Sequence, residues 1–252
     1  MRIFPRGEVN RSAQWVILMR SVFPSEDESR LLSEYLGPQP GTFVDVGAND
    51  PIIGSQSHAL EQSGWNGVLV EPLPHLAERL RRERNAPVFQ FACGSPERHG
   101  TRAEFYVSGP YSSMRPELML PEAEVHSVII VEIRTLDSIV EEAALGRVDF
   151  VSVDVEGFEL EVLKGFSIQR WRPKLVLIED HVTGLEKHRY MASQGYKLVR
   201  RTGVNAWYVP RDRQFPMGLK GALQLLRKYV VGLPWRKLKF LLRQRLRRPV
   251  PH

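Results

Sequence analysis

Eight residues, Thr42-Phe43-Val44-Asp45-Val46-Gly47-Ala48-Asn49, limit what this chain can fold into more than any other stretch. Their β-branched and aromatic content predicts a short buried strand running into a turn shaped by an acid and a glycine. In an open α/β sheet, ligands bind beyond the carboxyl ends of the strands, so the turn after the first strand is where a cofactor sits. Gly47 allows close backbone approach, and Asp45 places a carboxylate at the strand's end. Such a strand ending in Asp-x-Gly recurs in many folds, so its meaning depends on the rest of the chain.

Further strands come in alternation with helices. Strands are expected at Gly67–Glu71, Val88–Ala92, Ala103–Val107, Val128–Ile133, Asp149–Asp154 and Lys174–Ile178. Between them lie helical patterns, among them Ser57–Gly64, a charged helix at His75–Arg84, one capped by Thr135, and one carrying Leu160, Val162 and Leu163. Ser25-Glu26-Asp27-Glu28 has the form of a capping box opening a first helix. Lys197–Arg200 and Ala206–Val209 are close enough to pair as a hairpin around Gly203. The alternation predicts an α/β, doubly wound, mostly parallel sheet covered on both faces. A segment between residues 107 and 128, containing Ser112-Ser113-Met114, reads as a lid over cofactor or acceptor.

Composition sets the domain plan. A chain of 252 residues with 42% apolar content suits one α/β domain, 25–212, an N-terminal extension, 1–24, and a tail, 213–252. No apolar run approaches the roughly 18 residues of a membrane span. The single cysteine, Cys93, excludes an internal disulfide and makes a reducing cytoplasm the expected compartment. The tail holds eleven of the 35 Lys/Arg and none of the 29 Asp/Glu, so the rest of the chain carries −5 although the whole carries +6. The basic balance is therefore no argument for a nucleic-acid-binding core.

Glu71 closes the second strand about 25 residues after Asp45, where an acid can accept hydrogen bonds from the ribose hydroxyls of an adenosine-containing cofactor. A nicotinamide dinucleotide would need G-x-G-x-x-G to hold its pyrophosphate. This chain has Gly47-Ala48-Asn49-Asp50-Pro51, in which Asp50 repels a diphosphate and Pro51 lacks a donor. An adenosine cofactor without phosphate fits better. Two plainer roles compete: Gly47 making the turn, and Glu71 capping the next helix.

Val44-Asp45-Val46-Gly47-Ala48-Asn49, Glu71-Pro72, Arg134-Thr135-Leu136-Asp137-Ser138 and Val153-Asp154-Val155-Glu156-Gly157-Phe158-Glu159 with Val162-Leu163-Lys164-Gly165 together resemble the FkbM family of S-adenosylmethionine-dependent methyltransferases. The resemblance covers about residues 40–210. It implies a seven-stranded Rossmann-like methyltransferase sheet with a C-terminal antiparallel hairpin. It also implies that Asp45, Gly47 and Asn49 line the methionine and ribose part of the cofactor site. Glu71-Pro72 would hold the ribose, Ala92, Cys93 and Gly94 the adenine, and Asp154 and Glu156 the end where the reactive methyl points. Ala48-Asn49-Asp50-Pro51 and Gly64-Trp65-Asn66-Gly67 resemble a subgroup found with surface-polysaccharide genes. O-methylation of a sugar hydroxyl in a polysaccharide, glycolipid or glycosylated natural product is therefore expected. Transfer to an amino sugar, or a non-catalytic partner in glycan assembly, are the alternatives.

Methyl transfer to an alcohol needs a base near the transition state. Asp154, Glu156 and His181 are the candidate catalytic groups, with His58 a second choice of base. Asp154, Glu179 and Asp180 end neighbouring strands and are expected to hold Mg²⁺ or Mn²⁺, in a way similar to catechol-type O-methyltransferases. The competing role for Glu179 is to orient its loop, with His181 solvated. Cys93 reads as a small buried residue. In the tail, Leu219, Leu223, Leu226 and Val230, then Trp235, Leu238, Leu242 and Leu246, keep helical spacing among Lys and Arg. Residues 218–249 are expected to touch either an anionic membrane surface, the body, or a second subunit in a homo-oligomer. Single-stranded nucleic acid is a weaker partner, because aromatics are sparse.

Overall fold

The structure, a computed structural model, describes residues 28–109, 111–118, 124–181 and 184–245. The expected N-terminal extension, Ser25–Asp27 and Leu246 lie outside the described residues. Seven strands form the main sheet: β1 (Thr42–Val46), β2 (Asn66–Val70), β3 (Val88–Phe89), β7 (Phe150–Val153), β8 (Leu175–Glu179), β9 (Tyr196–Thr202) and β10 (Asn205–Pro210). Their order is β3-β2-β1-β7-β8-β10-β9, and only β10 runs antiparallel to its neighbours. β4 (Ala92–Cys93), β5 (Arg102–Val107) and β6 (Ser127–Arg134) make a small second sheet in the order β4-β6-β5.

The run from Val88 to Ala92 is therefore two strands, one in each sheet. Val88 and Phe89 pair with β2, while Ala92 and Cys93 pair with Ile133 and Arg134. The chain changes sheets at Gln90-Phe91, and the apolar run by itself carries no sign of the switch.

Helices cover both faces. α1 (Glu28–Leu36), α2 (His58–Gln62) and α3 (Pro74–Glu83) lie on one, with Leu32, Leu60 and Leu80 buried against Phe43, Leu69 and Trp207. α4 (Leu136–Glu142), α5 (Glu159–Lys164), α6 (Ile168–Trp171) and α7 (Glu186–Ser193) lie on the other, burying Leu136, Val162, Ile168 and Met191 against Val44, Val151 and Val176. Buried on both faces, β7 and β8 are apolar but for Ser152 and the terminal Glu179, as central parallel strands tend to be. Glu28 does not close a capping box within the described residues: its carboxylate reaches the hairpin, accepting from Asn205 Nδ2 at 2.8 Å and from the Thr202 hydroxyl. α8 (Leu219–Leu226), a π-helical turn (Arg227–Val231) and α9 (Leu233–Arg245) come after the hairpin.

The order matters for the site. β1 is flanked by β2 on one side and β7 on the other, so the direction of winding reverses between β1 and β7. The crevice beyond the carboxyl ends of those two strands is where such a sheet binds ligands.

Candidate active site

A cavity of about 230 Å³ opens at that crevice, slightly below the roughly 300 Å³ at which small-molecule sites begin. Asp45, Gly47, Asn49, Glu71, Pro72, Ala92, Cys93 and Asp154 all line it, along with Glu156. Gly94 does not; its carbonyl oxygen lies instead where a side chain at Gly165 would project.

Gly47 has a φ of +82°, and a Cβ there would sit 1.8 Å from the carbonyl oxygen of Asp154. The close approach is thus to the chain's own backbone as well as to the cavity. Gly47 N and Ala48 N both donate to Val70 O, and Asp154 N donates to Val46 O. The turn is pinned between the ends of β2 and β7, and only glycine fits.

Glu71 is buried, with one oxygen accepting from Asn49 N at 3.0 Å and the other from Leu73 N at 2.9 Å. Leu73 is the N-cap of α3, so the helix-capping role is real. It does not exhaust the carboxylate, because each oxygen keeps a second lone pair for a ligand hydroxyl. Burial pushes Glu71 up to about 7, against the two backbone donors. Asp45, also buried, is raised by desolvation and accepts from the Ser57 hydroxyl at 2.6 Å. Ser57 in turn accepts from Arg84, whose guanidinium also reaches Glu61, the Pro51 carbonyl and Ser55. This buried arginine organises the loop between β1 and α2, and no motif in the sequence announced it. Asp50 closes its own turn by accepting from Ile52 N and Ile53 N, and pairs with Arg79 at 2.7 Å.

The apolar wall has no sequence motif either. Phe91 and Phe158 line the cavity, each with a guanidinium on its ring: Arg134 at 4.9 Å and Arg98 at 5.2 Å. Cation–π contacts of this kind hold the rings as fixed walls. Burial pushes the Cys93 thiol up to about 12, so it is an apolar wall atom and no nucleophile. The lid segment does reach the site. Ser112 and Met114 line the cavity, and Ser113 donates to the Glu156 carbonyl at 2.7 Å while bridging Tyr106 through both backbone groups.

At the far end, Glu156 turns with φ +52°, a conformation that non-glycine residues rarely hold, and it reaches Glu179 and His181. One potential ligand atom from each of these three lies within 4.8 Å of the others. His181 Nε2 is 3.2 Å from Glu179 Oε1. Burial, then repulsion from Glu179, pushes Glu156 up to about 8. Asp154 is raised for the same two reasons. Burial would raise Glu179 too, but the His181 hydrogen bond and charge and the nearby Lys187 hold it below the usual range. The same hydrogen bond raises His181.

Of the expected ligand set, Asp154 and Glu179 do meet, their carboxyls sharing a hydrogen bond, while Asp180 goes elsewhere. Successive residues at a strand's end point to opposite sides, so Asp180 turns away from Glu179. Its carboxylate accepts from the Tyr229 hydroxyl at 2.8 Å and lies 3.6 Å from Lys187. Glu156 and His181 gather with Glu179, and Asp154 is hydrogen-bonded to Glu179 beside them. Lys187, which nothing in the sequence singled out, is half-buried between Glu159 at 3.1 Å and the Glu179 carbonyl at 2.7 Å. Glu159 also accepts from Gly157 N, fixing the turn that carries Glu156. His58 does not line the cavity, and neither do Glu179, Asp180 and His181; their cluster meets it through Glu156.

No curated protein matches the sequence at a significant level. Among solved structures, the chain is similar to a precorrin-6y C5,15-methyltransferase from Geobacter metallireducens GS-15, at 12% identity and a TM-score of 0.40, covering 73% of this chain and 86% of that one. A methyltransferase from Geobacter sulfurreducens gives 16% identity and a TM-score of 0.38, with coverage of 82% and 90%. Monomeric WbdD gives 12% and 0.36, with 83% of this chain against 43% of that chain. A family model described as the methyltransferase FkbM domain matches residues 45–198. That span runs from Asp45 at the head of the cavity into β9 and takes in more than half of the sequence, so the chain belongs to the methyltransferase FkbM domain family.

Proposed function

We propose that this methyltransferase transfers a methyl group from S-adenosylmethionine to a hydroxyl of a sugar-containing acceptor, with His181 as general base. The donor set fits the cofactor: two buried carboxylates with spare lone pairs, Asp45 and Glu71, beside an apolar wall of Phe91, Ala92, Cys93 and Phe158. S-adenosylmethionine supplies the electrophilic methyl carbon of a sulfonium. Glu71 would accept from its ribose hydroxyls, and Phe91 and Phe158 would hold its adenine. Asp154 and Glu156 would face the sulfonium end, where a bound cation favours their ionised forms.

The observation that carries the reading is the Glu156–Glu179–His181 cluster, which meets the cavity through Glu156. His181 is half-exposed and hydrogen-bonded to a buried carboxylate, which orients the ring and stabilises the charge it gains on taking a proton. A polyhydroxylated acceptor suits this end, since its hydroxyls donate to Glu156 while an anionic acceptor is repelled. His181→Gln should lower kcat about 10²- to 10⁴-fold with unchanged S-adenosylmethionine affinity by calorimetry. An unchanged kcat removes the base from the proposal.

A second reading comes from the same three side chains, because two carboxylates and an imidazole suit a divalent cation that lowers an alcohol's pKa. It predicts that EDTA dialysis abolishes transfer and that Mg²⁺ or Mn²⁺ restores it. A rate indifferent to both leaves the base reading alone.

A further inference from the structure

The tail helices present their apolar side outward. Leu219 is 77% exposed and Trp235 75%, and Leu223, Leu226, Val230 and Leu238 are all close to half exposed or more. The inward side is mixed, with Leu225 and Leu233 half-buried among polar residues. Gln224, Lys228 and Arg236 face the body, and Tyr229 is buried there, its hydroxyl donating to Asp180 and accepting from Arg201. A helix whose partner is the protein's own core keeps its large apolar residues covered, and here most of them are exposed. An exposed apolar patch of this extent marks an interaction surface.

We infer that this outward face is a seat for an anionic lipid surface, on which the enzyme rests as a peripheral protein. Three observations select that occupant. Residues 213–252 carry eleven Lys/Arg and no acid, so an anionic partner is attracted. Two copies meeting through this face would bring like charges together. The helices are short: eight residues in α8 and thirteen in α9, with a π-helical turn between, and among the described residues no helix is long and apolar enough to cross a membrane. Short basic amphipathic helices bearing an exposed Trp lie in the plane of the headgroups. The seat is joined to the site through Tyr229 and Asp180, the residue after Glu179, so docking holds the acidic end of the cavity close to the lipid. The lipid seat stands on the tail alone and does not depend on the choice of acceptor.

Flotation of the full-length protein with vesicles of phosphatidylcholine, and of phosphatidylcholine mixed with phosphatidylglycerol, tests this. The expected result is recovery with the mixed vesicles only, falling as salt is raised. The outward-facing Leu223→Ser/Leu226→Ser/Trp235→Ser variant should lose about tenfold or more of that recovery, while keeping its circular dichroism spectrum and S-adenosylmethionine binding. Equal recovery with both vesicles, or equal recovery of variant and parent, overturns the inference. So does a dimer, seen by light scattering, that the triple variant dissociates while neither protein floats, since the face would then join two copies.

Discussion

Gly47 and Glu71 show how single residues serve fold and site together. Gly47→Ala meets the Asp154 carbonyl and a positive φ at once, so it should cost about 2–4 kcal/mol in denaturant unfolding and abolish cofactor binding. Glu71 carries a pH signature. Its value of about 7 lies above its ordinary one, so the fold favours the protonated carboxyl, and the stability this adds is full below about 4.5 and lost as pH rises through about 7. Ribose hydroxyls favour the ionised form. Calorimetric affinity for S-adenosylmethionine should therefore strengthen by up to about tenfold per pH unit below 7 and level off above it. Glu71→Gln should bind weakly and show a flat profile; a sloping one would place the titration elsewhere. Asp45, Gly47 and Glu71 were legible in the sequence because each ends a strand. Arg84 and Lys187 were not, since nothing local marks an exposed helical cation from one that folds inward onto an acid distant in the chain.

The loop from Asp50 to Ser57 is held by Arg84, whose side chain is fully buried beside Glu61 at 2.5 Å. Arg84→Met leaves Glu61 buried without its cation and should destabilise by about 3–5 kcal/mol, while Arg84→Met/Glu61→Leu should recover part of that in thermal melts. No recovery would mean that the arginine acts through the Pro51 and Ser55 contacts instead. The lid behaves more mildly. Ser113→Ala removes two hydrogen bonds, to the Glu156 carbonyl and from Arg115 N, worth about 1 kcal/mol each, and should raise KM for the acceptor several-fold while S-adenosylmethionine binding stays unchanged. Elements with strong periodicity, such as β1, β7, β8 and the hairpin, matched their sequence signals. The split of β3 from β4 did not, because hydrophobic periodicity reports burial and is silent on which sheet supplies it.

Across the whole molecule, the tail and the acidic end meet at Asp180. Tyr229→Phe removes a buried donor from that carboxylate and should lower stability by about 1–3 kcal/mol, read as a drop in melting temperature, with KM for S-adenosylmethionine unchanged because neither Tyr229 nor Asp180 lines the cavity. A raised KM would show that the tail acts on the cofactor pocket as well. The sequence alone determined the family, the alternating elements, the strand-end acids and the segregation of charge into the tail, since all of these are written in local pattern and composition. The tertiary structure decided which acids stand together. A strand's pleat sends consecutive side chains to opposite sides, so Glu179 joins Glu156 and His181 while Asp180 serves the tail. It also decided that the tail's apolar stripe faces outward, because helical spacing says which residues share a face and only packing says where that face points.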